Sequence, residues 1–360
     1  MIDNLIEVSI FGGGAGYGES ILVKISNEYF VIDSFQNPRT SKSFLIDYFR
    51  EQDINCEIDV KLVISTHWHD DHFKGLADIL SLCKSAEFYC SDCISTDEFK
   101  NIYSFGELAP IISPTKEISK IINVLTENKK CINSLKAEQL VYKNQINGVE
   151  LKIYALSPND FAITKARIQI SASLTNMTED RVLPKAPSPN DASIVLFFEY
   201  GDICFLLGGD LPYNNDNRQG WKNIIEKSMS YKNKKSSIFK VSHHGSQTSY
   251  NADIWNKLLL TQPIACLTPY KKGHFVPNAS EIRNILSHTE YAFITCKNEV
   301  LKKRKKRSTK TKLLLEELKI EVYEIPYDFG HIKLTNPNFT NTRNIWGVEL
   351  LGKAIKLQDY

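Results

Sequence analysis

The sequence predicts an α/β protein with two sheet-forming halves. Three observations lead there. Apolar runs of strand length alternate with helically spaced segments through the first quarter of the chain, a second block of strands follows after residue 150, and five of the eight histidines gather just after strands. Histidines that merely fill a core are not distributed in that way.

Taken in order, Leu5 to Phe11 alternates as a strand, Gly12 to Gly18 breaks it, Ile21 to Ile25 resumes, and Tyr29 to Ile32 ends at Asp33. Ser41 to Glu51 has helical spacing, Val60 to Ile64 is a fully apolar strand, and Phe73 to Cys83 is helical again. Glu107 to Ala137 reads as mainly helical. The second half brings strands at Glu150 to Leu156, Ser193 to Tyr200 and Asp202 to Leu207, with Tyr200-Gly201-Asp202 as a hairpin turn. Between them Ser157 to Asp191, rich in Ser, Thr, Asn and Pro, reads as a long surface loop or lid. A strand (Ser237 to Val241), a helix (Asn251 to Leu260), a strand (Ile264 to Thr268) and a helix (Ser280 to Ser287) follow. Strands near Tyr291 to Thr295 and Ile320 to Ile325 complete the pattern.

Composition narrows the class. A chain of 360 residues, 42% hydrophobic and 24% charged, is a folded globular protein rather than a disordered or fibrous one. The longest apolar runs fall far short of the roughly 18 residues that span a bilayer, and no basic, then apolar, leader opens the sequence. A soluble cytoplasmic chain with no membrane partner is expected, its eight scattered cysteines reduced. Cys90-Ser-Asp-Cys93 is a single CxxC with no second pair to complete a zinc knuckle. The formal charge of +2 hides an asymmetry: Lys297 to Lys312 alone carries +8, leaving −6 for the rest.

The chemistry lies in two clusters. After the strand Val60 to Ile64 comes Ser65-Thr-His67-Trp-His69-Asp70-Asp71-His72. Alternate residues of an extended chain point the same way, so His67 and His69 can grip one ion while Asp71 and His72, at the turn into a helix, face a second. Ser242-His243-His244-Gly-Ser246 and Leu206-Leu-Gly-Gly-Asp210 again place an imidazole pair and a carboxylate at strand mouths, where such sites are built.

These motifs resemble the metallo-β-lactamase superfamily, specifically the metal-hydrolase domain of ComEC-like DNA-uptake proteins. His67-x-His69-x-Asp71-His72 matches its HxHxDH signature, Leu206 to Asp210 its later Asp motif, and Ser242 to Ser246 its SHHGS motif. Weaker echoes keep the family's order: Gly16-Tyr-Gly-Glu-Ser20 leading to Asp33, Asn190-Asp-Ala-Ser193, and Gly273-His274 before Pro277. The resemblance implies a four-layered αββα sandwich over residues 1–335; position and composition make 157–191 a lid or surface insertion and 297–312 a basic segment within it, and 336–360 is expected to be a C-terminal extension packing on it. It implies that His67 and His69 bind a first metal and Asp71 and His72 a second, with Asp210 bridging and His244 the later ligand. His243 would then face substrate. Many members have a further histidine before the bridging Asp; none lies between 72 and 243 here, and Asn190 or Asp191 sits near that place. One or two zinc ions are implied, though the same donors accept manganese or iron. His274 is placed to donate a proton or hydrogen bond to the departing group.

Two motifs are discounted. Gly13-Gly-Ala-Gly-Tyr-Gly18-Glu19-Ser20 is one residue from a phosphate-binding loop, but Glu19 stands where lysine is required. No GxSxG supplies a serine nucleophile. His288 and His331, without companions, read as packing residues. Lys302, Lys303, Arg304, Lys305, Lys306 and Arg307 are six adjacent cations, and such runs supply non-specific affinity for nucleic-acid phosphates. Lysines at 232, 234, 235, 271 and 272 lie near the later motifs in sequence. Hydrolysis of a phosphodiester, DNA or RNA foremost, is therefore expected. The alternatives are a small-molecule hydrolase acting on a lactone, thioester or cyclic nucleotide, a non-catalytic component of a larger assembly, and, for the cationic run alone, a plain solvated helix or loop.

Overall fold

The computed structural model describes residues 5–14, 18–38, 40–93, 114–178, 188–272, 274–297, 308–318, 329–337 and 345–360. The chain opens with β1 (Ile6–Gly13), β2 (Glu19–Ile25) and β3 (Glu28–Ile32), followed by α1 (Phe44–Glu51) and α2 (Cys56–Asp59). Then come β4 (Val60–Ser65), α3 (Asp70–Phe73), α4 (Leu76–Leu82), β5 (Glu87–Ser91), α5 (Pro114–Glu127) and β6 (Ile132–Leu135). The second half has β7 (Gln139–Ile146), β8 (Val149–Ala155), α6 (Asp160–Thr178), β9 (Leu196–Tyr200), β10 (Ile203–Leu207), α7 (Gly220–Lys227), β11 (Ser236–Lys240) and β12 (Leu259–Leu267). A small hairpin, β13 (Tyr270–Lys272) and β14 (His274–Val276), precedes α8 (Ala279–Leu286), β15 (Ala292–Ile294) and α9 (Thr309–Glu317). Finally come β16 (Phe329–Asn336), β17 (Gly347–Gly352) and β18 (Ile355–Lys356).

Two eight-stranded mixed sheets result, ordered β17-β16-β1-β2-β3-β4-β5-β6 and β18-β15-β12-β11-β10-β9-β8-β7. Period-two alternation explains how they stack. Val8, Ile10, Val23, Phe30 and Ile64 of one sheet meet Ile153, Phe198, Phe205 and Ile238 of the other in a core between them. The opposite faces carry Phe11, Leu22, Val31 and Val63 toward α1, α4 and α5, and Phe197, Leu206, Phe239 and Ala265 toward α7 and α8. Three apolar layers thus separate four layers of secondary structure, the αββα sandwich expected from the sequence. Phe198 stacks on Phe205 at 4.6 Å inside the middle layer, and truncating it to alanine costs about 3–5 kcal/mol.

Several local expectations differ. The helix over 73–83 is broken at Gly75, whose φ of +89° in the left-handed region starts α4 afresh; a Cβ there would lie 2.9 Å from Ser43. Residues 132–135 form β6 rather than the end of a helix, and β12 begins at Leu259, where a helix to 260 was expected. The 157–191 segment is not a loop throughout. Asp160–Thr178 is helical, docking Ile163 and Ala166 on the outer core; its apolar residues form no stripe, so the sequence carries no periodic signal for it. Within 336–360, Gly347–Gly352 adds β17 to one sheet and Ile355–Lys356 adds β18 to the other, so the described part of this extension is woven into both sheets rather than laid on them. The strand expected at Ile320 to Ile325 falls outside the described residues. Among the described residues no helix is long and apolar enough to cross a membrane.

Candidate metal centre

β3 and β4 run parallel, as do β10, β11, β12 and β15, so their C-terminal ends share one rim of the sandwich. That rim collects the chemistry. β3 delivers Asp33, β4 delivers His67 to His72, β10 delivers Asp210, β11 delivers His243 and His244, and β12 delivers Thr268 and Tyr270. A backbone bond from Ile194 N–H to Thr66 O (3.0 Å) ties the two sheets together there.

Six side chains converge. His67 Nε2 lies 3.1 Å from His69 Nδ1 and 3.6 Å from Asp210 Oδ2. His244 Nε2 lies 3.3 Å from Asp71 Oδ2, 3.5 Å from His72 Nε2 and 3.6 Å from Asp210 Oδ2, while Asp210 Oδ1 is 3.4 Å from His72 Nε2. Donors on a tetrahedral ion with bonds of roughly 2.0–2.1 Å are about 3.3–3.5 Å apart, which is the spacing seen. Asp210 touches both groups, His67 with His69 on one side and Asp71, His72 and His244 on the other. Its buried Oδ1 has no hydrogen-bond partner, as suits a carboxylate shaped for a cation. The donor set fits one or two divalent ions.

The remaining ring nitrogens are held. His72 Nδ1 donates to Asp33 Oδ2 (2.8 Å), His67 Nδ1 meets Thr66 Oγ1 (2.9 Å), and His244 Nδ1 meets Thr268 Oγ1 (3.0 Å). Asp33 also accepts from Thr66 N–H and Thr66 Oγ1–H, both at 2.7 Å. Such partners fix ring orientation and tautomer. Ser193 Oγ accepts from Asp210 N–H (2.9 Å), which accounts for the Asn190 to Ser193 motif ahead of β9.

Electrostatics follow from burial and charge. Burial, aided by the charge of His72, pushes His67 well below the usual histidine range, and burial also lowers His69 and His243. His72 goes the other way: burial opposes its charge, but Asp210, Asp71 and Asp33 hold it well above. Burial likewise works against Asp210 and Asp71, yet the surrounding imidazoles keep both carboxyls below the usual range. Buried carboxylates and imidazoles so placed are the donor types that a divalent ion takes, binding the imidazoles in their neutral form.

His243 and His244 are consecutive residues with φ of +48° and +55°, a strained arrangement that costs on the order of 1–3 kcal/mol each. It turns neighbouring imidazoles to different jobs. His244 enters the cluster with Tyr270 stacked on it at 4.9 Å, whereas His243 sits between Asn190 Nδ2 (3.0 Å) and Thr248 Oγ1 (2.9 Å). Asp191, weighed as an additional ligand, is engaged by Lys165 at 3.1 Å and stays out of the cluster. Asn190 keeps a buried Oδ1 without a hydrogen-bond partner.

Other sequence expectations are redistributed. His274 lies on β14, with its side chain outside the described residues, as is the whole run Lys302 to Arg307. Lys232, Lys234 and Lys235 precede β11, whose far end carries the histidines, so they occupy the opposite rim; nearness in sequence misled here. Lys271, on β13, stays on the metal rim. His288 stacks on Trp255 at 5.0 Å and His331 on Phe11 at 4.2 Å, both as packing residues. Cys90 and Cys93 are buried thiols, with burial raising Cys93 to about 11. Asp33, Thr66 and Thr268 were not singled out as site residues. Asp33 alone had a sequence signal, as the residue where an apolar strand stops.

Residues 13–95 match the family model described as the metallo-beta-lactamase superfamily, so this part of the chain carries that domain's signature. No curated protein matches the sequence. Among solved structures, the chain is similar to human tRNase Z, short form (10% identity, 65% of this chain and 76% of that one, TM-score 0.34). It is also similar to the metallo-beta-lactamase fold protein YhfI from Bacillus subtilis (10%, 66% and 70%, 0.32). A third is MEM-A1, a subclass B3 metallo-beta-lactamase from a soil metagenome library (13%, 66% and 78%, 0.34). Likenesses this distant do not bear on activity.

Proposed function

We propose that this protein is a metal-dependent hydrolase that cleaves phosphodiester bonds, with DNA or RNA as the leading substrate, in the manner of the ComEC-like domains its motifs resemble. One observation carries the hydrolase reading: six donors from three strand ends, with the Asp210 carboxylate in their midst, lie 3.1–3.6 Å from their neighbours. His67, His69 and Asp210 would hold one ion, and Asp71, His72, His244 and Asp210 the other, zinc being the favoured metal. Divalent cations there lower the pKa of water from about 15.7 toward 7 and offset charge on a scissile group. The chain's own part is orientation: Asp33, Thr66 and Thr268 keep the imidazoles aimed, and Tyr270 covers His244. His243, whose Nε2 accepts from Asn190 and whose Nδ1–H is given to Thr248, is fixed as a neutral group beside the cluster.

Charge supports the phosphodiester. β15 runs parallel to β12 and so ends on the metal rim, where exposed Lys297 begins the +8 segment, and Lys271 lies on the same rim. Metal analysis of the purified chain, with cleavage assays on single- and double-stranded DNA, RNA and bis-p-nitrophenyl phosphate, tests the proposal. Bound metal with turnover that Asp71→Ala abolishes in a folded protein is the expected result. A folded, metal-loaded chain inactive on every phosphodiester refutes the substrate, and a lactone or thioester turned over regardless of charge reversal at 302–307 would replace it.

A further inference from the structure

Glu19 and Lys240 form an ion pair at 2.5 Å between β2 of one sheet and β11 of the other, with exposures of 1% and 0%. Enclosing two charges costs several kcal/mol per ion in lost hydration, and an apolar pair of similar volume commonly serves stability as well or better. The pair therefore calls for a role beyond packing, and its surroundings supply one. Glu19 Oε2 also accepts from Thr268 Oγ1–H at 2.7 Å, and Lys240 Nζ donates to Val241 O at 3.0 Å.

A threonine hydroxyl has a single proton. With that proton committed to Glu19, Thr268 Oγ1 presents only lone pairs to His244 Nδ1 at 3.0 Å, and the other neighbour of that nitrogen, Thr268 O at 3.2 Å, is an acceptor as well. His244 Nδ1 must then be the protonated nitrogen. Its Nε2 is left bare toward Asp71, Asp210 and His72, as a metal ligand requires. The same device stands on the other sheet, where Thr66 gives its proton to Asp33 and meets His67 Nδ1 with a lone pair. Space for Thr268 is made by Gly12 of β1: a Cβ there would lie 2.6 Å from Thr268 Cγ2.

We propose that Lys240, Glu19 and Thr268 are positioning residues that hold His244 as its Nδ1-protonated tautomer and thereby ready the second cation position. The inference rests on the hydrolase reading for its purpose, but not for its test. Lys240 balances the Glu19 carboxylate, Glu19 orients the Thr268 hydroxyl, and the hydroxyl oxygen together with the Thr268 carbonyl selects the imidazole proton. The first position, built on His67 and His69, lies outside this chain of contacts.

Long-range nitrogen–proton NMR correlations of the full chain, treated with chelator, report directly which nitrogens of His244 carry a proton. The expected spectrum shows His244 protonated on Nδ1. Thr268→Val removes the hydroxyl at nearly constant shape and leaves the residue-268 carbonyl, 3.2 Å away, as the acceptor at His244 Nδ1; it should loosen the hold on the ring and weaken the second zinc equivalent 10–100-fold while sparing the first, and Thr268→Ser should restore the affinity. Glu19→Leu paired with Lys240→Met removes the acceptor of the Thr268 proton, leaves no unpaired buried charge, and should repeat the loss. A wild-type His244 protonated on Nε2 and bare on Nδ1, or a folded Thr268→Val chain with wild-type second-zinc affinity, overturns the proposal. An Nδ1-protonated His244 in a chain that takes up no zinc supports the tautomer assignment and refutes the hydrolase reading instead.

Discussion

Replacing Asp33 by asparagine tests the support beneath the metal centre most sharply. The carboxylate is fully buried, takes Thr66 N–H on Oδ1, and takes Thr66 Oγ1–H and His72 Nδ1–H together on Oδ2. Asparagine can keep the first bond through its oxygen, but its amide nitrogen then confronts two donors. Hydrogen bonds to a charged group are worth about 1.5–3 kcal/mol, and a stranded buried donor costs about 1–3 kcal/mol. Opposing this, burial raises the Asp33 pKa, so the native charge is itself held at some expense that asparagine relieves. The net expectation is a loss of about 2–4 kcal/mol in urea unfolding, seen as a lower midpoint at unchanged slope. Zinc should bind 10–100-fold more weakly, because His72 and His67 are no longer aimed. At zinc levels near 100 times the wild-type Kd, ligand stabilisation falls from about 2.7 kcal/mol to about 1.4 or less. A variant with the wild-type midpoint and wild-type zinc uptake would refute the reasoning.

Three further outcomes are expected. Gly12→Ala sets a methyl 2.6 Å from Thr268 Cγ2 and 2.7 Å from Thr295 Oγ1, so thermal unfolding should show about 1–3 kcal/mol of overpacking, and displacement of Thr268 should weaken the second zinc site in calorimetry. Burial, with a small push from Lys333, lowers His331 to about 4; the unfolded chain then binds more protons between about 6.5 and 4, so stability is full above that window and falls through it by about 1–3 kcal/mol. His331→Phe, which keeps the stack on Phe11, should flatten that acid limb in pH-dependent unfolding, and an unchanged limb would argue against it. Charge reversal of Lys302 to Arg307 should cut affinity for nucleic acid and make the salt slope shallower by about 0.9 for each phosphate no longer neutralised, with hydrolysis of a small phosphodiester unaffected.

What could be read along the chain was local. An apolar run followed by alternate histidines marks a strand and the donors at its mouth, because side-chain direction in extended chain is set by neighbours one and two residues away. The Val60 to Ile64 strand and the His67 to His72 cluster were legible on those terms, as were Asp210 and the histidine pair. Strands of mixed polarity were not. β5 begins on Glu87, β6 carries Asn133 and Ser134, and β7 runs through the consecutive polar residues Lys143, Asn144 and Gln145, since edge and outer positions are half wetted. α6 was missed for a related reason: its helix is held by docking rather than by a stripe.

By itself the sequence determined the class of fold, the donor types and the places where strands hand over to chemistry. The motif resemblance already implied the central place of Asp210 and the choice of His244 over His243, and the tertiary structure brings both into one cluster; tertiary structure alone decided that Asp191 goes to Lys165. It also sent Lys232 to Lys235 to the far rim and joined Glu19 to Lys240 across the two sheets. The division has a physical cause. Donor identity and local direction are carried by covalent neighbours, whereas which donors meet is set by sheet order, parallel register and the stacking of one sheet on another, all of which depend on residues remote along the chain.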